Sequence, residues 1–247
     1  MAAARGGLER PAFYALRGGR PGRDLLTLLH PPYTAWHLSY VALGAAAAPH
    51  LHPERLWAAL GAFFLAVGIG AHALDELHGR PLRTGLSRRT LIALAVTAMT
   101  GAVGIGIAGA VIVSATLLPF VAAGAFLVPA YNLELVGGRF HGDAWFALAW
   151  GGFPALTSYW ANAGTLRPAG LLVAAACTLL SVAQRRLSTP ARRLRRRTVA
   201  LHGEQRLDDG ERIELSGPVV AAPLEGALSA LSIALVLLAA GLVAVRL

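Results

Sequence analysis

The chain has 247 residues, 55% of them hydrophobic and 14% charged, with a formal net charge of +9. Soluble domains carry roughly 25% charged residues, so this composition excludes an ordinary water-soluble domain, and charges clustered between long apolar runs point to membrane spans. One cysteine, Cys177, excludes an intrachain disulfide scaffold, and the 22 basic residues, all arginine, come without a familiar nucleic-acid motif, so they read as flanks of membrane helices.

Residues 1–33 form a basic cytoplasmic segment in which Arg5, Arg10, Arg17, Arg20 and Arg23 interrupt any apolar signal core. A first span is predicted near 34–49 and a second near 56–75. The second runs into the polar stretch Asp75-Glu76-Leu77-His78-Gly79-Arg80-Pro81-Leu82. Residues 90–131 carry no charge and are too long for one crossing of a 30 Å core at 1.5 Å per residue, so they divide into spans three and four. The glycines at Gly106–Gly109 are the expected break. Span five is predicted near 144–162, span six near 168–184 and span seven near 224–245. Between the last two, residues 185–197 read as an arginine-rich amphipathic surface helix. Residues 199–215 alternate around Asp209-Gly210, which is a hairpin signal.

With these spans, 19 arginines fall on one side of the membrane and three, Arg55, Arg167 and Arg246, on the other. That asymmetry predicts an all-α bundle of seven transmembrane helices in the plasma (inner) membrane, N-terminus cytoplasmic and C-terminus outside. The organisation reads as the 1–33 segment, a six-helix membrane core over 34–184, a cytoplasmic arginine-rich loop over 185–217 and a seventh helix within 218–247. The lipid bilayer is the certain partner, and the 185–217 loop is a candidate surface for a protein partner.

Acidic groups in membrane helices carry a functional expectation. Asp75, Glu76, Glu134, Asp143 and Glu225 all fall at cytoplasmic helix ends. His72, Asp75 and Glu76 stand at i, i+3 and i+4, one face of a helix, and an imidazole beside two carboxylates suits Mg²⁺ or Zn²⁺. Arg80 and Arg83 follow, and guanidinium grips phosphate bidentately. The plainer alternative is a helix end with surface ion pairs. A second constellation comprises Tyr131, Asn132 and Glu134 with His141 and Asp143, joined by a loop that Gly137-Gly138 can turn tightly. Asp143 is also placed to favour its own helix N-terminus. Trp145, Trp150, Tyr159 and Trp160 read either as an interfacial aromatic belt or as a pocket for a carbocation.

The run Asp75-Glu76-x-x-Gly79-Arg80-Pro81-Leu82-Arg83-Thr84-Gly85-Leu86-Ser87 resembles the loop after helix two of UbiA-type intramembrane prenyltransferases. The stretch from His141-Gly142-Asp143 to Gly151-Gly152-Phe153-Pro154 is similar to the family's helix five. The resemblance covers about residues 34–184. It implies a UbiA-like barrel that binds a polyprenyl diphosphate through Mg²⁺ and alkylates a lipophilic acceptor. Asp75, Glu76 and His72 would then be metal ligands, and Arg80 and Arg83 diphosphate contacts. The chain departs from the family at Ala71 and Gly79, where polar motif positions are usual. It departs again where Gln184-Arg185-Arg186-Leu187-Ser188 replaces the second acidic motif. Two other functions fit the same residues. One is a non-catalytic membrane protein that keeps the fold and binds a lipid or quinone, or scaffolds a partner through the arginine-rich loop. The other is a metal-dependent membrane hydrolase using His72, Asp75, His78, His141 and Asp143.

Overall fold

The computed structural model describes residues 10–16 and 21–247. Residues 1–9 and 17–20 of the basic 1–33 segment therefore fall outside the described residues. A short amphipathic helix, α1 (Pro21–Leu28), is followed by α2 (Pro31–Ala46), α3 (Pro53–Gly79), α4 (Arg88–Ile112) and α5 (Ala115–Asn132). Then come α6 (residues 143–163), α7 (Pro168–Arg196), the hairpin β1 (Gly203–Arg206) and β2 (Arg212–Leu215), and α8 (Gly217–Ala244). The chain is an all-α bundle, and α3, α4, α5, α7 and α8 are long and apolar enough to cross a membrane. The other two long helices are α2, 16 residues and about 24 Å, and α6, which is broken into three helical pieces.

The core follows from where small residues allow helices to close. Trp36 and Tyr40 on α2 are fully buried among Ala155 of α6, Cys177 of α7 and Leu235 of α8. A side chain at Gly44 would overlap the Ala155 carbonyl, so α2 and α6 meet backbone to backbone. Gly151 and Gly152 do the same for α6 against Cys177 and Thr178 of α7. The indole nitrogen of Trp36 donates to the Tyr40 hydroxyl one turn on, and the Ser181 hydroxyl lies 3.3 Å from the same atom. These three polar side chains are thereby paired with one another, whereas the buried hydroxyls of Ser158 and Tyr159 on α6 have no hydrogen-bond partner among the described residues.

Two helices contain wide π-helical turns, Phe64–Ala71 in α3 and Leu148–Gly152 in α6. Each holds two glycines and lies beside the polar cavity described below. Such turns redirect backbone carbonyls from the regular ladder and gather at functional positions.

The break between α4 and α5 falls at Val113–Ser114, later than the predicted Gly106–Gly109. Ser114 makes it, its hydroxyl accepting from the Thr116 amide at 3.2 Å. The earlier glycines serve packing instead: a Cβ at Gly106 would press on Val121 of α5. Residues 185–196 are no separate surface helix but the continuation of α7, which carries its arginines past the apolar part. The predicted hairpin forms, with Gln205 opposite Ile213 and Gly210 at positive φ in the turn.

Candidate functional site

The N-terminal end of α2, the C-terminal ends of α3, α5 and α7, and the N-terminal parts of α6 and α8 enclose a polar cavity of about 450 Å³. The described segment at residues 11–14 closes one side. Asp75, His72, Tyr131, Asn132, Glu134 and His141, all named from sequence, line it. The opposite wall is the arginine-bearing half of α7: Arg185, Arg192, Arg195, Arg196 and Arg197.

Glu76 is divided from its neighbours. It is fully buried, and its carboxylate accepts from the Leu82 amide at 3.0 Å, the Thr84 amide at 2.8 Å and the Thr84 hydroxyl at 2.9 Å. Arg80, in the left-handed region at φ 46°, donates through Nη1 to the carbonyls of Thr84 at 3.1 Å and Leu86 at 2.9 Å. Asp24 of α1 accepts from the Gly85 amide at 3.2 Å. These three charged side chains thus satisfy the backbone of residues 80–87. Arg83 is exposed and also at positive φ. Of the residues proposed from sequence to hold metal and diphosphate, His72 and Asp75 line the cavity, whereas Glu76, Arg80 and Arg83 shape the loop beside it.

The histidines are oriented through carbonyl groups. His72 Nδ1 lies 3.0 Å from the Gly68 carbonyl, and His37 Nδ1 lies 2.8 Å from that of Trp150, both acceptors belonging to the π-helical turns. His141 Nδ1 lies 3.0 Å from the Tyr131 carbonyl. A carbonyl only accepts, so each Nδ1 carries the proton. His72 stacks on His30 with ring centroids 4.0 Å apart. His30, just before α2, is held well below the ordinary imidazole pKa, first by burial and then by His72, Arg196 and Arg192. Glu134, at positive φ, stands 3.8 Å from His78 and 3.9 Å from His141.

Asp143 is 79% exposed and pairs with Arg185 at 2.7 Å on the rim, while the Arg185 guanidinium lies 5.1 Å over the Phe146 ring. Arg195 is bound bidentately by Glu225, with Nη2 to Oε2 at 2.7 Å, and both side chains are mostly buried. Asp75 has no ion-pair partner within 4.0 Å among the described residues. Trp150 lines the cavity and packs on Tyr131 with ring centroids 5.2 Å apart. Trp145 lies outside against Phe140, Tyr159 is buried between helices, and Trp160 donates to Thr116 at the far end of the bundle.

A second, apolar pocket of about 150 Å³ lies between α3, α4, α5 and α6, walled by Phe63, Ala66, Met99, Gly106, Val121 and Phe153 among others. Ala66 lines it and Val67 lines the polar cavity, and Ala66 and Met99 pack on the cluster of Ala71, Tyr131 and Trp150 that lines the polar cavity.

The sequence reading passed over Gln184, Ser188 and Arg192. They follow one another at four-residue steps along one face of α7, a spacing visible in the sequence but read there only as the loss of an acidic motif. His30, His37 and Tyr33 were passed over too, because the cavity is reached only when α2 packs at the centre.

Among the described residues no three His, Cys, Asp or Glu side chains converge on a metal position. The His72-Asp75-Glu76 trio does not fit a divalent cation as arranged, because both Glu76 oxygens already accept from the loop. The histidines and Asp143 of the hydrolase reading are likewise tied separately to Gly68, Tyr131, Glu134 and Arg185, which leaves Asp75 alone of that set without such a tie. Searches of protein-family models, curated proteins and solved structures find no match to this chain.

Proposed function

We propose that this protein is a seven-span membrane protein of UbiA type, N-terminus cytoplasmic, that acts as a prenyltransferase on a polyprenyl diphosphate and a lipophilic acceptor. The observation that carries the reading is the pairing of two unlike cavities along α3: a polar, arginine-walled one at the helix ends and an apolar one deeper in the bundle. An amphiphile with an oxyanion head and a hydrocarbon tail matches both. Guanidinium groups suit the head, and Phe63, Met99 and Phe153 suit the tail. Tyr131, Trp150 and Phe146 line the polar cavity, in a cluster packed on Ala66 and Met99 of the apolar pocket, and their faces would stabilise an allylic cation formed by loss of the head.

The alternation of helix ends around the polar cavity supports the seven-span reading. Arg55 and Arg246 lie apart from that cavity, donating to the carbonyls of Ala161 and Pro49 at 3.1 and 3.2 Å. The family's Mg²⁺ remains part of the enzyme reading, yet no step is assigned to it, since Glu76 of the expected trio is turned into the loop and not to the cavity. The purified protein in detergent should rise in melting temperature with geranylgeranyl diphosphate and not with geranylgeraniol, because a ligand of the folded state stabilises it by mass action. Equal response to both, or to neither, would remove the head-and-tail reading.

One observation favours a non-catalytic lipid-binding protein that kept the fold: Glu76 and Arg80, matched to the family's chemistry, are consumed in building the 80–87 loop. Binding of geranylgeranyl diphosphate without release of diphosphate, across a panel of quinone and phenol acceptors, would establish that reading instead.

A further inference from the structure

We infer that the polar cavity holds its oxyanion directly, through Arg192 with Tyr131 and Gln184, without a divalent cation; this rests on the phosphate-bearing amphiphile proposed above. Arg192 projects from α7 into the cavity. Its Nη1 donates to Ser188 Oγ at 3.1 Å and its Nη2 to Thr189 Oγ1 at 3.2 Å, so two hydroxyls of its own preceding turn orient the guanidinium. Among the described residues no carboxylate lies within 4.0 Å of it. It is a cation positioned by neutral groups, with N–H donors left over.

An independent sign comes from atoms that lack partners. Tyr131 and Gln184 are 6% and 2% exposed, and the Tyr131 hydroxyl and Gln184 Oε1 have no hydrogen-bond partner. Both residues line this cavity. Buried polar atoms are ordinarily paired, so two orphans on one cavity point to a missing ligand. The oxygen and nitrogen of a carboxamide exchange by a half-turn, so an acceptor ligand beside Gln184 would be met by its N–H₂ turned to the place of the unpartnered Oε1. Tyrosine hydroxyl, carboxamide N–H₂ and guanidinium are then three donors on one cavity, matching a ligand made of acceptors.

The acids agree. Glu225 is taken by Arg195, Glu134 stands between two histidines, and Glu76 belongs to the loop. Of the described carboxylates that line the cavity, Asp75 is the one without an ion-pair partner, and beside an oxyanion it repels rather than attracts. The sign of its contribution therefore separates the two modes of binding. As a metal ligand it is required; beside a metal-free anion its neutralisation helps.

The test is binding of geranylgeranyl diphosphate, geranylgeraniol and inorganic pyrophosphate to the full-length protein in detergent, by calorimetry, in EDTA and again in Mg²⁺. Geranylgeranyl diphosphate is expected to bind in EDTA within a few-fold of its affinity in Mg²⁺. Arg192→Gln is expected to weaken it roughly 10- to 100-fold, the loss of charge-assisted hydrogen bonds. Tyr131→Phe keeps the ring and its packing, and guards against misfolding of the arginine variant; it should cost about 2- to 10-fold. Asp75→Asn should tighten binding. Binding that appears only with Mg²⁺, or that vanishes in Asp75→Asn, overturns the metal-free site and leaves the proposed amphiphile standing. Pyrophosphate binding as tightly as the amphiphile supports the anion site while removing the lipid as its source. No binding of any probe in either buffer overturns both.

Discussion

Replacing Glu76 by alanine tests whether this residue is a builder of the 80–87 loop or a ligand-holding acid. Its carboxylate serves the amides of Leu82 and Thr84 and the hydroxyl of Thr84, at 2.8 to 3.0 Å in a fully buried position. Leu82 and Thr84 are themselves buried, so alanine strands two amide donors away from water. Each stranded donor costs about 1–3 kcal/mol, giving a loss of about 2–6 kcal/mol. At roughly 2–4 °C per kcal/mol for a domain of this size, the melting temperature in detergent should fall on the order of 5–20 °C. The loop also holds the exposed Arg83, followed by Thr84, so trypsin should cleave after Arg83 faster in the variant. Glu76→Gln keeps one acceptor oxygen and should fall between alanine and the native protein. An alanine variant with native melting temperature and native tryptic pattern, but altered ligand binding, would refute the structural role.

His30 provides a pH dependence. Its folded pKa is depressed from the ordinary imidazole value of 6.5, so below about pH 6.5 the unfolded chain binds a proton that the folded chain rejects. Its contribution to stability is therefore full above that value and lost as pH falls through it. Melting temperature measured between pH 7.5 and 5 should drop less in His30→Gln than in the native protein, and parallel curves would sink the assignment. The Arg195–Glu225 pair supplies a double-mutant cycle. Either single substitution to methionine leaves a mostly buried charge alone and should cost about 3–5 kcal/mol, whereas the double variant should recover most of it; simple additivity would show the pair to be uncoupled.

Much of this architecture was legible in the residues. The apolar runs announce the long helices, because only a helix satisfies its own backbone inside lipid. Arginines gather at one end, Gly137 and Gly138 take the positive φ their loop needs, and Asp209-Gly210 makes the turn of the hairpin. The meeting of acids from separate helix ends was legible too, since Asp75, Glu134 and Glu225 do line one cavity. Packing had the last word on the details. Consecutive helical residues stand about 100° apart, so Asp75 can border a cavity while Glu76 lies beneath a loop. Which of them does so depends on where residues 80–87 fold back, and that path is set by Arg80 and by Asp24, which stands 61 residues before Gly85. Arg192 is one of seven arginines in 185–197 by composition. It becomes a wall of the cavity only because α7 runs unbroken past Ser188, stacked through Gly151 and Gly152 against α6. Periodicity sets a residue's angle about its own helix; what that angle faces depends on contacts between helices far apart in the chain, which local pattern does not encode.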